Sequence, residues 1–332
     1  MTRAIPAHAR DITPAWLSHA LGRPVTAHTM ARIGAERAFS GGEVWRITLA
    51  DACTLIAKLP PAAPAPRAAL APANAREVAF YTRFAAPGLP VPQVPYAAAD
   101  DAGSILLMQD LGPLTPMRLT DGCDPARAAD ALRALAAVHA RWWNHADLAT
   151  LQGPEFLAEF PFPALWPAFR ARHPDLPAPL VALGDRLARH GPALMPNSGA
   201  RTLIHRDPHL ENLLFGAAPG GHRAAILDWQ MAGQGHPAWD LCYFLASSLT
   251  PAVRRAAQDD LTAAYHAALT AHGVTGFTLA QCRHDLPRAL AGKLYLTVVA
   301  AMTFDSAGPA KAAYRRADLD RLAAFATDHP DA

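Results

Sequence analysis

Lysine is the scarcest charged residue in this sequence, occurring only at positions 58, 293 and 311, and arginine supplies the other basic charge. Net charge is also low, +2 at pH 7, so there is no electrostatic case for a nucleic-acid or membrane-surface partner. Cysteine is sparse: Cys53, Cys123, Cys242 and Cys282 are widely spaced, with no C-x-x-C pair. They read as small buried hydrophobes of a reducing compartment and not as a disulfide framework. Met1 to Arg10 lacks the apolar core of a signal peptide, and the late apolar run Leu294–Phe304 is too short to span a bilayer. Together these absences predict a cytoplasmic protein with no nucleic-acid and no membrane partner. They leave its oligomeric state open.

What is present describes an ordinary globular chain. It has 332 residues, 51% hydrophobic and 17% charged, enough for two compact domains or one large one. Thr13-Pro14 opens a short helix through Leu21, with Thr13 as N-cap. Extended segments follow at Val25–Ile33, Val44–Leu49 and Thr54–Leu59. The first two are joined by Phe39-Ser40-Gly41-Gly42-Glu43, which reads either as a plain hairpin turn or as a small-residue loop whose N–H groups approach a ligand. Lys58 stands at the end of the third strand, either as a solvated strand end or facing an anion. Residues 60–73 read as a Pro/Ala-rich connector before a helix capped by Asn74. In that helix Phe80 and Phe84 share a face, and Glu77 is placed to reach toward Lys58.

Two more strands are expected at Val94–Ala98 and Ser104–Gln109, and helical patterns then dominate: a helix opened by Asp124-Pro125, Pro154–Arg172 and Leu180–His190. His139 lies on an otherwise apolar helical face and reads as a satisfied core histidine. The fold class is α+β: a sheet-rich N-terminal lobe over residues 1–111, a hinge at 108–113, and a mainly helical lobe over 112–332.

The most informative stretch is Leu203 to Phe215. Two apolar runs enclose a polar loop with Asp207 and Asn212 five residues apart, and a later short strand ends in Asp228. A hairpin joining the two runs would bring the three to one sheet edge, an oxygen-rich set of the kind that Mg²⁺-assisted phosphoryl transfer needs. His205 and His209 also stand four apart, but Pro208 between them argues against a helical zinc pair.

The pattern His205-x-Asp207-x-x-x-x-Asn212, followed by Ile226-Leu227-Asp228-Trp229-Gln230 and Trp239-Asp240-Leu241-Cys242-Tyr243, resembles the aminoglycoside phosphotransferase and choline kinase-like superfamily. These are small-molecule relatives of the protein kinases. The resemblance extends to Leu107–Gly112 as the hinge, and to Lys58 and Glu77. It implies a bilobal protein-kinase-like fold and an ATP- and Mg²⁺-dependent phosphotransferase acting on a hydroxyl of a small molecule. On that resemblance Asp207 takes or orients the hydroxyl proton, while Asn212 and Asp228 hold Mg²⁺. Lys58, positioned by Glu77, pairs with the phosphates under the Ser40-Gly41-Gly42 turn. Backbone groups of Gln109 and Leu111 meet the adenine beside Met108. His205 supports the loop, and Asp240 caps a helix, holds the loop backbone, or does both.

Arg206 makes the triplet look like the His-Arg-Asp of protein kinases. With only eleven residues between Asp228 and Asp240, there is no room for a regulated activation segment. The arginine is therefore expected to pair with a nearby carboxylate or touch substrate, and a peptide-directed kinase is disfavoured. Glu211 is expected to be solvated. From Ala238 onward nine acidic residues face nine basic ones, which does not describe a strongly acidic cleft for a polycation. Trp142, Trp143, Trp166, Trp229 and Trp239 could wall a choline-like cation, with core packing the better expectation. The early helix and Asp228-Trp229-Gln230 lean toward the bacterial ecdysteroid-kinase-like branch. The alternative reading is a catalytically silent, kinase-shaped protein that binds nucleotide or ligand.

Overall fold

The computed structural model describes residues 5–34, 42–101, 103–196, 199–303 and 308–331. Phe39, Ser40, Gly41, Phe304 and Asp305 lie outside them. Helix α1 (Pro14–Leu21) begins as read, with the Thr13 hydroxyl accepting from Trp16 N. Strands β1 (His28–Ile33), β2 (Glu43–Leu49) and β3 (Thr54–Leu59) follow. Helix α2 (Pro64–Arg83) leads to β4 (Tyr96–Asp100) and β5 (Gly103–Gln109). The five strands form one antiparallel sheet in the order β1-β2-β3-β5-β4.

Alternation along β3 explains how the sheet serves two faces. Leu55, Ala57 and Leu59 point into a core shared with Trp16 and Leu17 of α1 and with Ile105 and Leu107 of β5. The intervening Ile56 and Lys58 point the other way, and both line a large cavity.

The expected connector over residues 60–73 is a correction: α2 starts at Pro64 and carries Pro72 within it. Pro64 sits where a missing N–H costs nothing, and docking of α2 overrides the poor propensity of Pro72. Asn74 is accordingly a mid-helix residue, and its side chain accepts from Gln230 Nε2 at 2.7 Å.

The remaining elements are β6 (Thr115–Pro116), α3 (Pro125–Arg141), α4 (Phe162–Arg172), α5 (Ala178–His190), β7 (Thr202–Ile204), β8 (Leu213–Phe215), β9 (Ala224–Ile226) and β10 (Gly233–Gly235). Then come α6 (Ala238–Ser248), α7 (Pro251–Ala271), α8 (Leu279–Arg288), α9 (Leu290–Thr303) and α10 (Pro309–Asp328). Asp124 caps α3 through Arg127 N, but Pro154–Glu159 is a separate 3₁₀ turn and not part of one long helix with α4. The anticipated hairpin does not form. β7 pairs with β10, whereas β8 pairs with β9 and β6. The polar loop therefore bridges two small sheets, each with its own register.

The largest core joins α2 and one face of β5 to the helices, and Trp142, Trp166, Trp229 and Trp239 are buried in it. His139 is fully buried with both ring nitrogens engaged, by Tyr265 Oη at 2.6 Å and Asp240 at 3.1 Å. Among the described residues no helix is long and apolar enough to cross a membrane.

Candidate active site

The polar loop is held from beneath by Asp240. This residue lies inside the first turn of α6 and is not its N-cap, which corrects the capping expectation. Its carboxylate accepts from His205 N at 2.6 Å and Arg206 N at 2.8 Å, so a fully buried charge is matched by buried donors. His205 donates Nε2–H to Leu227 O at 2.8 Å and accepts from Asp207 N at 3.2 Å. One imidazole thereby ties the loop to the strand end that carries Asp228.

Arg206 does not pair with a carboxylate, and it does not line the cavity. Its backbone is left-handed, φ 70°, and its fully buried guanidinium donates to Gln152 O, Gly153 O and Gln234 O and lies 4.1 Å from the Phe156 ring centre. Burial, reinforced by Arg76, lowers its pKa to about 9. Gly233 makes room for this packing: a Cβ there would stand 2.2 Å from Arg206 Cζ. The arginine fastens three chain segments together.

Around the loop lies a cavity of about 1530 Å³ that includes Lys58, Glu77, Met108, Gln109, Leu111, Asp207, Asn212 and Asp228 in its lining. None of the five tryptophans considered as a cation wall contributes to it. Lys58 Nζ is 2.8 Å from Glu77 Oε2 and 3.3 Å from Asp228 Oδ1. Burial opposes the lysine's charge, but the two carboxylates outweigh it and lift Lys58 to about 12. Burial also raises Glu77, to about 7, against the pull of Lys58. Asp228 adopts a left-handed backbone, φ 61°, that turns the chain as β9 ends.

Asp207 is governed by a different set of neighbours. Burial would raise its carboxyl, but His209, whose Nε2 stands 3.5 Å from Oδ2, and a hydrogen bond from the Tyr243 hydroxyl to Oδ1 draw it down to about 2. Asn212 donates from Nδ2 to Asp207 O at 2.9 Å, which orients its amide and leaves Oδ1 as an oxygen donor. Glu211 is half-buried and accepts from Leu119 N at 3.3 Å, so it is not simply solvated. Among the described residues no three His, Cys, Asp or Glu side chains cluster as a metal site. Asn212 and Asp228 both line the cavity.

At the chain crossing between lobes, Met108 is buried and Gln109 N donates to Gln93 O at 2.7 Å, so that N–H is already engaged. Leu111 O accepts from Leu114 N at 2.9 Å. Arg46 grips Asp110 at 2.6 and 3.2 Å, linking β2 to the crossing. Of the Ser40-Gly41-Gly42 turn only Gly42 is described. A Cβ there would meet Leu59 O at 2.3 Å, so close backbone approach to β3 already requires a glycine.

Tyr243 and Lys293 line the same cavity and carry no role in the sequence motifs. The signal for Lys293 was its rarity: one of three lysines, set within the apolar stretch that becomes α9.

Over 178 residues the chain is 32% identical to the N-acetylmuramate/N-acetylglucosamine kinase of Caulobacter vibrioides, covering 48% of this chain and 46% of that protein. The chain thus matches less than half the length of that relative. A Thermobifida fusca YX-ER1 structure described as a fructosamine-3-kinase superimposes with a TM-score of 0.57 at 22% identity, covering 95% of this chain and 98% of that one. A macrolide 2′-phosphotransferase type I gives 0.52 at 17% identity, covering 97% and 99%. These likenesses show a bilobal, protein-kinase-like fold, with an antiparallel N-terminal sheet and a mainly helical remainder. Residues 37–277 match the phosphotransferase enzyme family, and the chain belongs to that family.

Proposed function

We propose that the protein transfers the γ-phosphoryl group of ATP to a hydroxyl of a small molecule, with Mg²⁺ as the metal. The observation that carries this reading is the separation of charge in one cavity. Lys58 is held between Glu77 and Asp228, while the Asp207 carboxylate faces His209 and Tyr243. In this assignment Lys58 binds phosphate oxygens, and Glu77 keeps it aimed. Met108 and the backbone of Gln109 and Leu111 flank the base, with Gly42, Ser40 and Gly41 as the glycine-turn portion. The lobe boundary falls at residues 108–113.

Asn212 Oδ1 and the Asp228 carboxylate fit Mg²⁺, a hard cation that takes few protein oxygens and leaves its other positions to phosphates and water. When bound, such an ion neutralises charge that develops on the transferred group. Asp207 remains ionised at neutral pH, and it accepts and orients the hydroxyl that attacks. His205, Arg206 and Asp240 act by holding the loop in place. This supports catalysis through positioning, which is most of what phosphoryl transfer asks of a protein.

Replacing Asp207 with Ala is expected to lower turnover by about 10²–10⁴-fold, measured as ADP release, while Mg·ATP still raises the melting temperature. Full activity in that variant would refute the assignment. A wild-type thermal shift with Mg·ATP but no ADP from any hydroxyl compound would favour the silent binding protein.

A further inference from the structure

Outside the loop that carries it, Asp207 is held by a side chain of α6. Tyr243 lies three residues after Asp240, on the same face of that helix, and its hydroxyl donates to Asp207 Oδ1. One turn of α6 therefore fixes both the loop backbone, through Asp240, and the carboxylate that the loop presents. The tyrosine is itself braced. It is 6% exposed, and the Lys293 ammonium lies 4.3 Å from the centre of its ring. Lys293 Nζ donates to Asp318 Oδ2 at 2.6 Å and to Thr297 Oγ1 at 3.1 Å, so α9 and α10 together hold the cation against the ring. Turning the phenol away would part the ring from the cation and bare Oδ1.

The two oxygens of Asp207 are consequently unlike. Oδ1 is taken by Tyr243. Oδ2 has His209 Nε2 and Asn212 Nδ2 as neighbours, each at 3.5 Å, beyond the usual length of a hydrogen bond. The side chain as a whole is 32% exposed and lines the cavity. Burial and the Asp207 charge push the Tyr243 phenol well above its ordinary value, so the hydroxyl keeps its proton and acts as a donor. We propose that Tyr243 is a positioning residue for phosphoryl transfer, which fixes the rotation of the Asp207 carboxylate so that Oδ2 alone meets the acceptor hydroxyl. This rests on the phosphotransfer reading given above. In that step the acceptor hydroxyl gives its proton to Oδ2 while its oxygen bonds to the γ-phosphorus. The bond from phosphorus to the β,γ-bridging oxygen breaks, and ADP leaves. The last torsion of an aspartate is intrinsically broad, so a single aim for Oδ2 has to be imposed by a neighbour, and misaim is costly where catalysis is mostly positioning.

The test is ADP release from Mg·ATP by the full chain, with water as the acceptor and with a panel of alcohols, sugars and amino alcohols. Tyr243→Phe keeps the ring and its contact with Lys293 and removes only the donor. It should lower kcat by roughly 10–100-fold, with the KM for Mg·ATP and the Mg·ATP thermal shift unchanged. A residue that acts through Asp207 has nothing left to position once that carboxylate is gone. Asp207→Ala/Tyr243→Phe should therefore be no slower than Asp207→Ala. Tyr243→Leu, which also takes the ring from Lys293, should be at least as slow as Tyr243→Phe. A wild-type kcat in Tyr243→Phe overturns the proposal even if Tyr243→Leu is slow, because packing would then be the whole part of the tyrosine. Losses that multiply in the double variant overturn it too. Both outcomes leave phosphotransfer standing, provided that Asp207→Ala alone is slow. No ADP from the wild-type chain with any acceptor overturns both readings.

Discussion

Two of the three lysines lie against carboxylates in the same cavity, Lys293 buried and Lys58 half-buried, yet they stand in opposite electrostatic situations. Lys293 faces one carboxylate, one hydroxyl and one ring, and its charge is balanced. Lys58 faces two carboxylates, so its cluster carries surplus negative charge, and burial pushes Glu77 up to about 7. The Lys293 cluster is electrically complete without a ligand. The Lys58 cluster is not: it is poised for added positive charge, or for a change in which partner the lysine serves. That difference separates a self-contained ion pair from a cluster with charge left over.

The contrast can be broken most severely at Lys293. Lys293→Met leaves Asp318 buried with its charge uncompensated and should destabilise the fold by about 3–5 kcal/mol, read from urea denaturation. Replacing both partners with apolar residues should recover most of that loss.

A third buried pair tests whether proton uptake relaxes such clusters. His236 accepts from Ala238 N through Nδ1 at 3.2 Å and stands 3.3 Å from Asp285. Burial lowers its pKa to about 4 despite the pull of Asp285. Between that value and the ordinary one near 6.5 the unfolded chain binds more protons than the folded one. The stabilisation is therefore present above about pH 6.5 and lost as pH falls toward 4. A loss on the order of 2–3 kcal/mol across that window, diminished in His236→Gln, is the expected outcome of denaturation at several pH values.

Lys58→Met should cost less, about 1–2 kcal/mol, because Glu77 can take up a proton near neutrality. Equal losses at the two lysines would erase the distinction. The smallest change is expected from Asp228→Asn. It leaves Lys58 with one carboxylate, as Lys293 has, and should alter ligand-free stability by less than about 1 kcal/mol. The thermal shift caused by Mg·ATP should nevertheless disappear.

Motifs whose chemistry is set by chain spacing were legible from sequence. The Asp207–Asn212 loop, the approach of Glu77 to Lys58, the Thr13 and Asp124 caps and the buried His139 follow from neighbour relations or period. Pairings decided by tertiary contact were not. Periodicity shows that Leu203 and Leu213 lie in apolar runs, but it does not say that β7 and β8 join different sheets. Pro72 reads as a breaker until packing of α2 overrides it. Arg206 offers charge to any carboxylate in sequence, and only the fold shows that carbonyls and Phe156 surround it. Lys293 and Asp318 are 25 residues apart on separate helices, so no local pattern announces their union.

The docking of α2 has a mechanical consequence. Phe80 stacks on Trp229 with ring centres 3.9 Å apart and planes within 5°, and Asn74 and Arg76 hold Gln230 at 2.7 and 2.6 Å. Glu77 lies between these anchors, so its position is pinned to the chain that follows Asp228. Lys58 belongs to the sheet. Its ammonium reaches Glu77 and Asp228 at once, so one side chain bolts the sheet to α2 and to the end of β9 together.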